Sequence, residues 1–191
     1  MNGRPILRTF FAISPDDAAR AALAEGARWA AKSCGGRPTP AELIHLTLVF
    51  IGSTRRERVA DLMALMDALD LPAFELQLDS IGWFRRNGIV WAGSQSPPDA
   101  LIALQSTLAR DAERLGFSLD VRPYSPHLTL ARDAHRSPPA TTLTPPLSWR
   151  VSSFELMSSQ LGGTGPRYEV LHSRSLACDR RAQPTTNESI P

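Results

Sequence analysis

The 191-residue chain is 42% hydrophobic and 21% charged, enough apolar material for one good core, and residues 1–177 are expected to form a single unit. A formal net charge of +2 is too mild for a protein that coats long nucleic acid through many phosphate contacts, while a short anionic ligand stays open. No stretch of about 18 apolar residues occurs and the amino end lacks the sections of a secretory signal, so a cytoplasmic, soluble, monomeric protein without membrane contact is expected.

Residues 6–13, ILRTFFAI, are rich in β-branched and aromatic side chains and read as a strand. Ser14-Pro15-Asp16 then starts a helix that runs to Lys32. Lys32 is the only lysine among 21 basic residues, and no glycine-rich loop leads into it, which excludes a P-loop nucleotide hydrolase. Its place at a solvated helix end also speaks against a ligase working through a lysyl-nucleotide intermediate, which needs a desolvated lysine. Cys34 and Cys178 lie far apart and in no metal-binding spacing, so both read as ordinary reduced thiols.

Residues 43–52, LIHLTLVFIG, form the second predicted strand, and Ser53-Thr54 is expected to cap a helix whose Val59, Leu62, Met63, Met66 and Leu69 recur at helical spacing as core. Residues 73–84 and 88–94 read as strands joined by a hairpin connection at Arg85-Arg86-Asn87-Gly88. A third helix spans 99–116 and ends at Gly116. FSLDV (117–121) and HLTLAR (127–132) read as strands, followed by a Pro-rich loop over 133–146. LSWRVSSFELMSSQL (147–161) and RYEVLHSRSL (167–176) look like a closing antiparallel pair around GGTGP. From 178 onward apolar periodicity ends and a disordered tail is expected. About eight strands and three helices, grouped alike in both halves, favour an α+β fold with helices covering antiparallel sheets.

One quartet, HLTL, occurs twice, at 45–48 and 127–130, and takes two of the four histidines. On a strand the His and Thr of each copy share one face while the leucines anchor the other. A single copy is a common half-buried strand, but a specified quartet arises by chance in roughly one chain of this length in several hundred, and a second copy far more rarely. One neutral imidazole can take a proton while a protonated partner donates one, which is general acid-base catalysis. A threonine hydroxyl on the same face is a compact donor for a phosphoryl oxygen. A cyclic phosphate suits such a pair, since ring strain leaves mainly proton transfer and charge stabilisation to the protein.

The paired quartets, as two H-x-[TS]-x motifs, resemble the 2H phosphoesterase superfamily, and specifically the bacterial RNA 2′,3′-cyclic phosphodiesterases, also called 2′-5′ RNA ligases. RTFFAI, HLTLVFIG, IGWF before IVWAG, RPYSPHLTLAR and FELMSSQL with RYEVL carry the likeness over residues 6–176 in that family's order. The resemblance implies two pseudo-symmetric lobes, each an antiparallel sheet backed by helices, around a central cleft that receives one motif from each lobe. It implies metal-independent, cofactor-free opening of 2′,3′-cyclic phosphates at RNA ends to 2′-phosphates, with a reverse 2′-5′ ligation. His45 and His127 would be the catalytic pair, and Thr47, Thr129 and Arg132 the phosphate ligands. Strict alternation would put Arg132 on the face opposite His127, so it reaches the cleft only if the strand ends or bulges after Leu130. The first quartet continues into apolar residues instead, so the halves are chemically unequal. The expected assignment is His45 as acid toward the departing ribose oxygen and His127 as base toward water, with the reverse left open. A tryptophan common near Arg174 in relatives is missing, which bears only on packing of the carboxyl-terminal strand.

Tyr124, Phe11, Trp83 and Phe84 are candidates to stack a nucleobase. His135 and His172 lack a matching Thr and read as surface histidines. Two other readings stand beside this one: action on another cyclic or 2′-5′-linked nucleotide, and a non-catalytic RNA-end binder. A histidine metal site is disfavoured, because no Asp, Glu or Cys lies at a helpful spacing near either quartet.

Overall fold

The computed structural model describes residues 6–120, 122–162 and 165–177, so the expected tail from 178 onward lies outside the described residues. Nine strands form one sheet: β1 (Ile6–Ile13), β2 (Arg37–Pro38), β3 (Leu46–Arg55), β4 (Phe74–Phe84), β5 (Ile89–Gly93), β6 (His127–Arg132), β7 (Thr142–Val151), β8 (Ser153–Gly162) and β9 (Gly165–Ser175). Their order is β7-β4-β5-β6-β3-β1-β8-β9, all neighbours antiparallel, with β2 paired to β6. The seam between the two four-strand groups is the β3–β6 pair, whose single register contact is Leu46 opposite Leu128, the first leucine of each quartet. The two lobes are therefore not the two halves of the sequence: β1, β3, β8 and β9 make one, and the intervening β4 to β7 make the other.

Three α-helices cover one face, α1 (Asp17–Cys34), α2 (Val59–Asp67) and α3 (Asp99–Arg114). Each long helix crosses the seam. Helix α1 follows β1 yet packs on β6, β2 and β7, while α3 follows β5 yet packs on β3 and α2. Asp16 caps α1 by accepting the Ala19 amide at 2.8 Å, and Gly35 ends it in the left-handed conformation at φ 73°. The core lies between helices and sheet: Leu23, Ala27, Ala30 and Cys34 of α1, Leu101, Leu104 and Leu108 of α3, and Leu62 and Met66 of α2 meet Leu46, Leu48, Leu128 and Leu130 in one cluster. Both leucines of each quartet thus anchor the sheet to its helices.

Several expectations give way. Ser53-Thr54 does not cap a helix; β3 continues through both, because the buried Thr54 hydroxyl bonds the buried Thr9 hydroxyl across the strands at 2.7 Å, and a turn at Arg56–Arg58 precedes α2. Residues 117–120 form no strand; Phe117 closes the end of α3 through its amide on the Ala112 carbonyl and lies under the Arg58 guanidinium. The Pro-rich stretch is shorter as a loop than expected, since β7 starts within it at Thr142 and pairs with β4. The segment 147–161 is not one strand but two, broken at Ser152, with β7 on β4 and β8 on β1 and β9. Cys34 is buried and free, its thiol pushed up by burial, while Cys178 lies outside the described residues.

Candidate active site

The uncovered face of the sheet carries the histidines. In the first quartet burial runs Leu46 buried, Thr47 half-buried, Leu48 and Val49 buried, Phe50 exposed; in the second, Leu128 buried, Thr129 half-buried, Leu130 and Ala131 buried, Arg132 exposed. Two successive buried residues break the alternation, and the register gives the reason. On β3, Thr47 pairs with Ala12 but Val49 with Phe11, so Leu48 is an extra residue. On β6, Thr129 pairs with Trp91 but Ala131 with Val90, so Leu130 is extra. Each quartet ends in a β-bulge, which returns the next outward residue to the cleft face. Arg132 therefore comes round to the side of His127 and Thr129, and its charge acts on both imidazoles.

The histidines themselves are held identically. His45 Nδ1 donates to the carbonyl of Leu43 at 2.8 Å, and His127 Nδ1 donates to the carbonyl of Ser125 at 2.7 Å, in each case two residues back. A carbonyl only accepts, so the proton sits on Nδ1 and Nε2 is the unprotonated nitrogen of each neutral ring. Aromatic side chains frame each ring. Phe10 and Tyr168 stand at 5.1 and 5.0 Å from His45, and Phe84 and Trp91 at 5.0 and 6.4 Å from His127. Removal from water pushes both imidazoles below their ordinary value. The carbonyl bonds offset part of this, and Arg132 lowers both further, with His127 adding to the effect on His45.

The surroundings differ. The Thr47 hydroxyl donates to His45 Nε2 at 3.1 Å, whereas His127 Nε2 has no hydrogen-bond partner among the described residues. Beside Thr47 the floor continues through Ala12 to Glu155, whose carboxylate accepts from Ser14 at 2.6 Å. Beside Thr129 it continues through Trp91 to Gly82, and the indole lies so close over Gly82 that no Cβ would fit there.

The candidate residues are thus sorted. His45, Thr47, His127, Thr129 and Arg132 meet on one face at the seam of the sheet. Phe11 does not: it is fully buried on the helix side, and it is its neighbour Phe10 that alternates onto the cleft and touches His45. Trp83 packs against the core, while Phe84 reaches His127. Tyr124 lines the cleft with its hydroxyl donated to the Thr47 carbonyl at 3.3 Å, and burial pushes its phenol well above the ordinary value. His135 packs at the Gly35 end of α1, and His172 pairs with Asp67 at 2.8 Å, both away from the cleft. Phe50 is absent from the residues expected from sequence, although its signal was legible: it stands five residues after His45, as Arg132 does after His127.

A cavity of about 690 Å³ runs from Thr47 and His127 past Phe50, Phe84 and Tyr124. Among the described residues no three His, Cys, Asp or Glu side chains converge as a metal-ligand group. Among the described residues no helix is long and apolar enough to cross a membrane.

Comparison with known proteins agrees with this geometry. The model of the 2′-5′ RNA ligase superfamily matches residues 15–163. The RNA 2′,3′-cyclic phosphodiesterase of Escherichia coli (strain K12) is 38% identical over 139 residues, covering 71% of this chain and 77% of that protein. The protein of the same name from Thermus thermophilus is 32% identical over 181 residues, covering 89% and 90%. Among solved structures, E. coli LigT complexed with 3′-AMP superposes with a TM-score of 0.82 at 34% identity, covering 90% of this chain and 99% of that one. The bulged strands, the mirrored histidines and these likenesses lead to one statement: the chain belongs to the 2′-5′ RNA ligase superfamily.

Proposed function

We propose that the protein is a metal-independent phosphodiesterase that opens 2′,3′-cyclic phosphates at RNA ends to 2′-phosphomonoesters. The observation that carries this reading is the mirrored pair of imidazoles, each with Nδ1 tied to a carbonyl and Nε2 left as the nitrogen that can exchange a proton. The phosphate sits between them, its non-bridging oxygens held by the hydroxyls of Thr47 and Thr129 and by Arg132. Charge placed there in advance is worth most in the transition state.

His127, whose Nε2 is unengaged, takes a proton from water as the water oxygen attacks phosphorus. The bond from phosphorus to the ribose 3′-oxygen breaks in line, and His45, protonated at Nε2, hands its proton to that oxygen. The anionic substrate favours the protonated form of the imidazoles on binding and so helps to keep the acid charged. A 5′-hydroxyl attacking in place of water, with the same loss of the 3′-oxygen, joins two ends through a 2′-5′ bond. Both motifs come from one chain, which supports a monomer as the working form, and the helices that cross the seam support residues 1–177 acting as one unit.

The test is hydrolysis of a 2′,3′-cyclic nucleotide by the purified protein in excess EDTA, with the product identified by phosphorus NMR. The expected product is the 2′-phosphate. A 3′-phosphate, or activity that EDTA abolishes, overturns the reading.

A further inference from the structure

The pseudo-symmetry of the bulges puts Phe50 where the other lobe has Arg132. Phe50 is 42% exposed at the wall of the cleft cavity, and the Arg8 guanidinium lies 4.8 Å from its ring centroid. Along the same cavity, past Phe84, stand Arg85 and Arg86 at the tip of the β4–β5 hairpin. Neither side chain has a hydrogen bond or ion pair among the described residues. Their tip is fixed: Gly88, at φ 61°, packs on the backbone of Asp133 and Ala134, and its carbonyl accepts the Ala134 amide at 2.9 Å. A third arginine on this wall, Arg122, is already paired with Asp120 at 2.6 Å, and Glu113 is the other acidic lining group.

The scissile phosphate needs Thr47, Thr129, Arg132 and the histidines. It leaves Arg85 and Arg86 without an anion, and a cyclic mononucleotide has no second phosphate to give them. A substrate with an internucleotide linkage does. We infer that this cavity receives the nucleotide on the 5′ side of the cyclic-phosphate terminus, its base stacked on Phe50 and the linking phosphate met by Arg85 and Arg86. The inference rests on the proposed function and names its substrate class: RNA ends, preferred over free cyclic nucleotides. Aromatic stacking and guanidinium contacts to a backbone are the ordinary means of holding a single strand without regard to sequence.

The experiment compares a dinucleotide ending in a 2′,3′-cyclic phosphate with the cyclic mononucleotide of the same terminal base. The dinucleotide is expected to show a kcat/KM at least about 10-fold higher, the size of one base–aromatic stack. Phe50→Ala should erase most of that ratio, Phe50→Trp should keep it, and an abasic 5′ nucleotide should lose it in the native protein but lose little more in Phe50→Ala. Arg85→Ala and Arg86→Ala should each raise the dinucleotide KM and flatten its salt dependence, with little change in the KM of the mononucleotide. Equal losses on both substrates, or no dinucleotide preference in the native protein, overturn the inference while leaving the function standing. Inactivity toward both substrates overturns the function itself and the inference with it.

Discussion

The two lobes repeat the same device and then fill it differently. Both place a histidine, a threonine and a bulge at the seam of the sheet, and both tie the imidazole to a carbonyl two residues back. Past the bulge one lobe presents Phe50 and the other Arg132. Under the first threonine the floor is Ala12 beside Glu155; under the second it is Trp91 laid over Gly82. The backbone is thus repeated where the side chains are not, and the proposed division of acid and base roles rests on that asymmetry. A phosphate held between two equivalent positions still has to be attacked from one side and left from the other.

The largest expected effect tests whether that division is real. His45→Ala and His127→Ala should each lower kcat about 10²–10⁴-fold on a 2′,3′-cyclic nucleotide, and the double variant should be little worse than either, because the two act as a unit. A nitrophenyl phosphodiester separates them. Its leaving group needs no proton, so His45→Ala should regain most of the native rate on it and His127→Ala should not. Equal losses on that substrate would make the lobes interchangeable in role, and the opposite pattern would exchange acid and base.

Arg132→Gln removes the charge that one lobe has and the other lacks. A loss of about 10²-fold in kcat is expected for one transition-state donor of this kind. The pH profile gives the sharper reading. In the proposed mechanism the active free enzyme carries one proton beyond the two at Nδ1, shared between imidazoles that burial and Arg132 hold below the ordinary 6.5. The bell of kcat/KM should therefore have its alkaline limb on the acid side of that value, with limbs that belong to the pair rather than to either ring. Removing a positive charge favours the protonated forms, so in Arg132→Gln both limbs should move to higher pH. A bell that stays in place would mean that Arg132 points away from the cleft.

Much of this site was legible in the sequence because its signals are local. A repeated quartet and period-two alternation single out His45, Thr47, His127 and Thr129 as candidates, the family resemblance adds Arg132, and strict alternation already requires a break after Leu130 for Arg132 to reach the cleft, where the register has its bulge. What was not legible depends on partners distant in sequence. Thr54 stays in β3 because Thr9, 45 residues away, accepts its company in the core. Residues 117–120 have the composition of a strand, but no strand pairs with them among the described residues. Phe10 and Phe11 are indistinguishable by type, and only the register of β1 between β3 and β8 decides which one faces the histidine. The interleaving of lobes is of the same kind, since the carboxyl-terminal strands return to β1 rather than extending the middle of the chain.

Tyr124 joins the lobes directly, and its removal should give the smallest effect. It precedes β6 in one lobe, and its hydroxyl reaches the Thr47 carbonyl of β3 in the other. At 3.3 Å this is a weak bond, so Tyr124→Phe should cost about 1 kcal/mol of stability in urea unfolding, with the ring left in place along the cavity. If the hydroxyl does no more than tie the lobes, the Phe variant should keep kcat within a few-fold, and Tyr124→Ala should lose stability through the ring it deletes from the core edge. If the ring also carries a base, Tyr124→Ala should raise KM where Tyr124→Phe does not, since a phenyl stacks as well as a phenol. A KM that rises equally in both variants would instead place the working group at the hydroxyl, and the alignment of the two quartet strands would then depend on a single hydrogen bond across the seam.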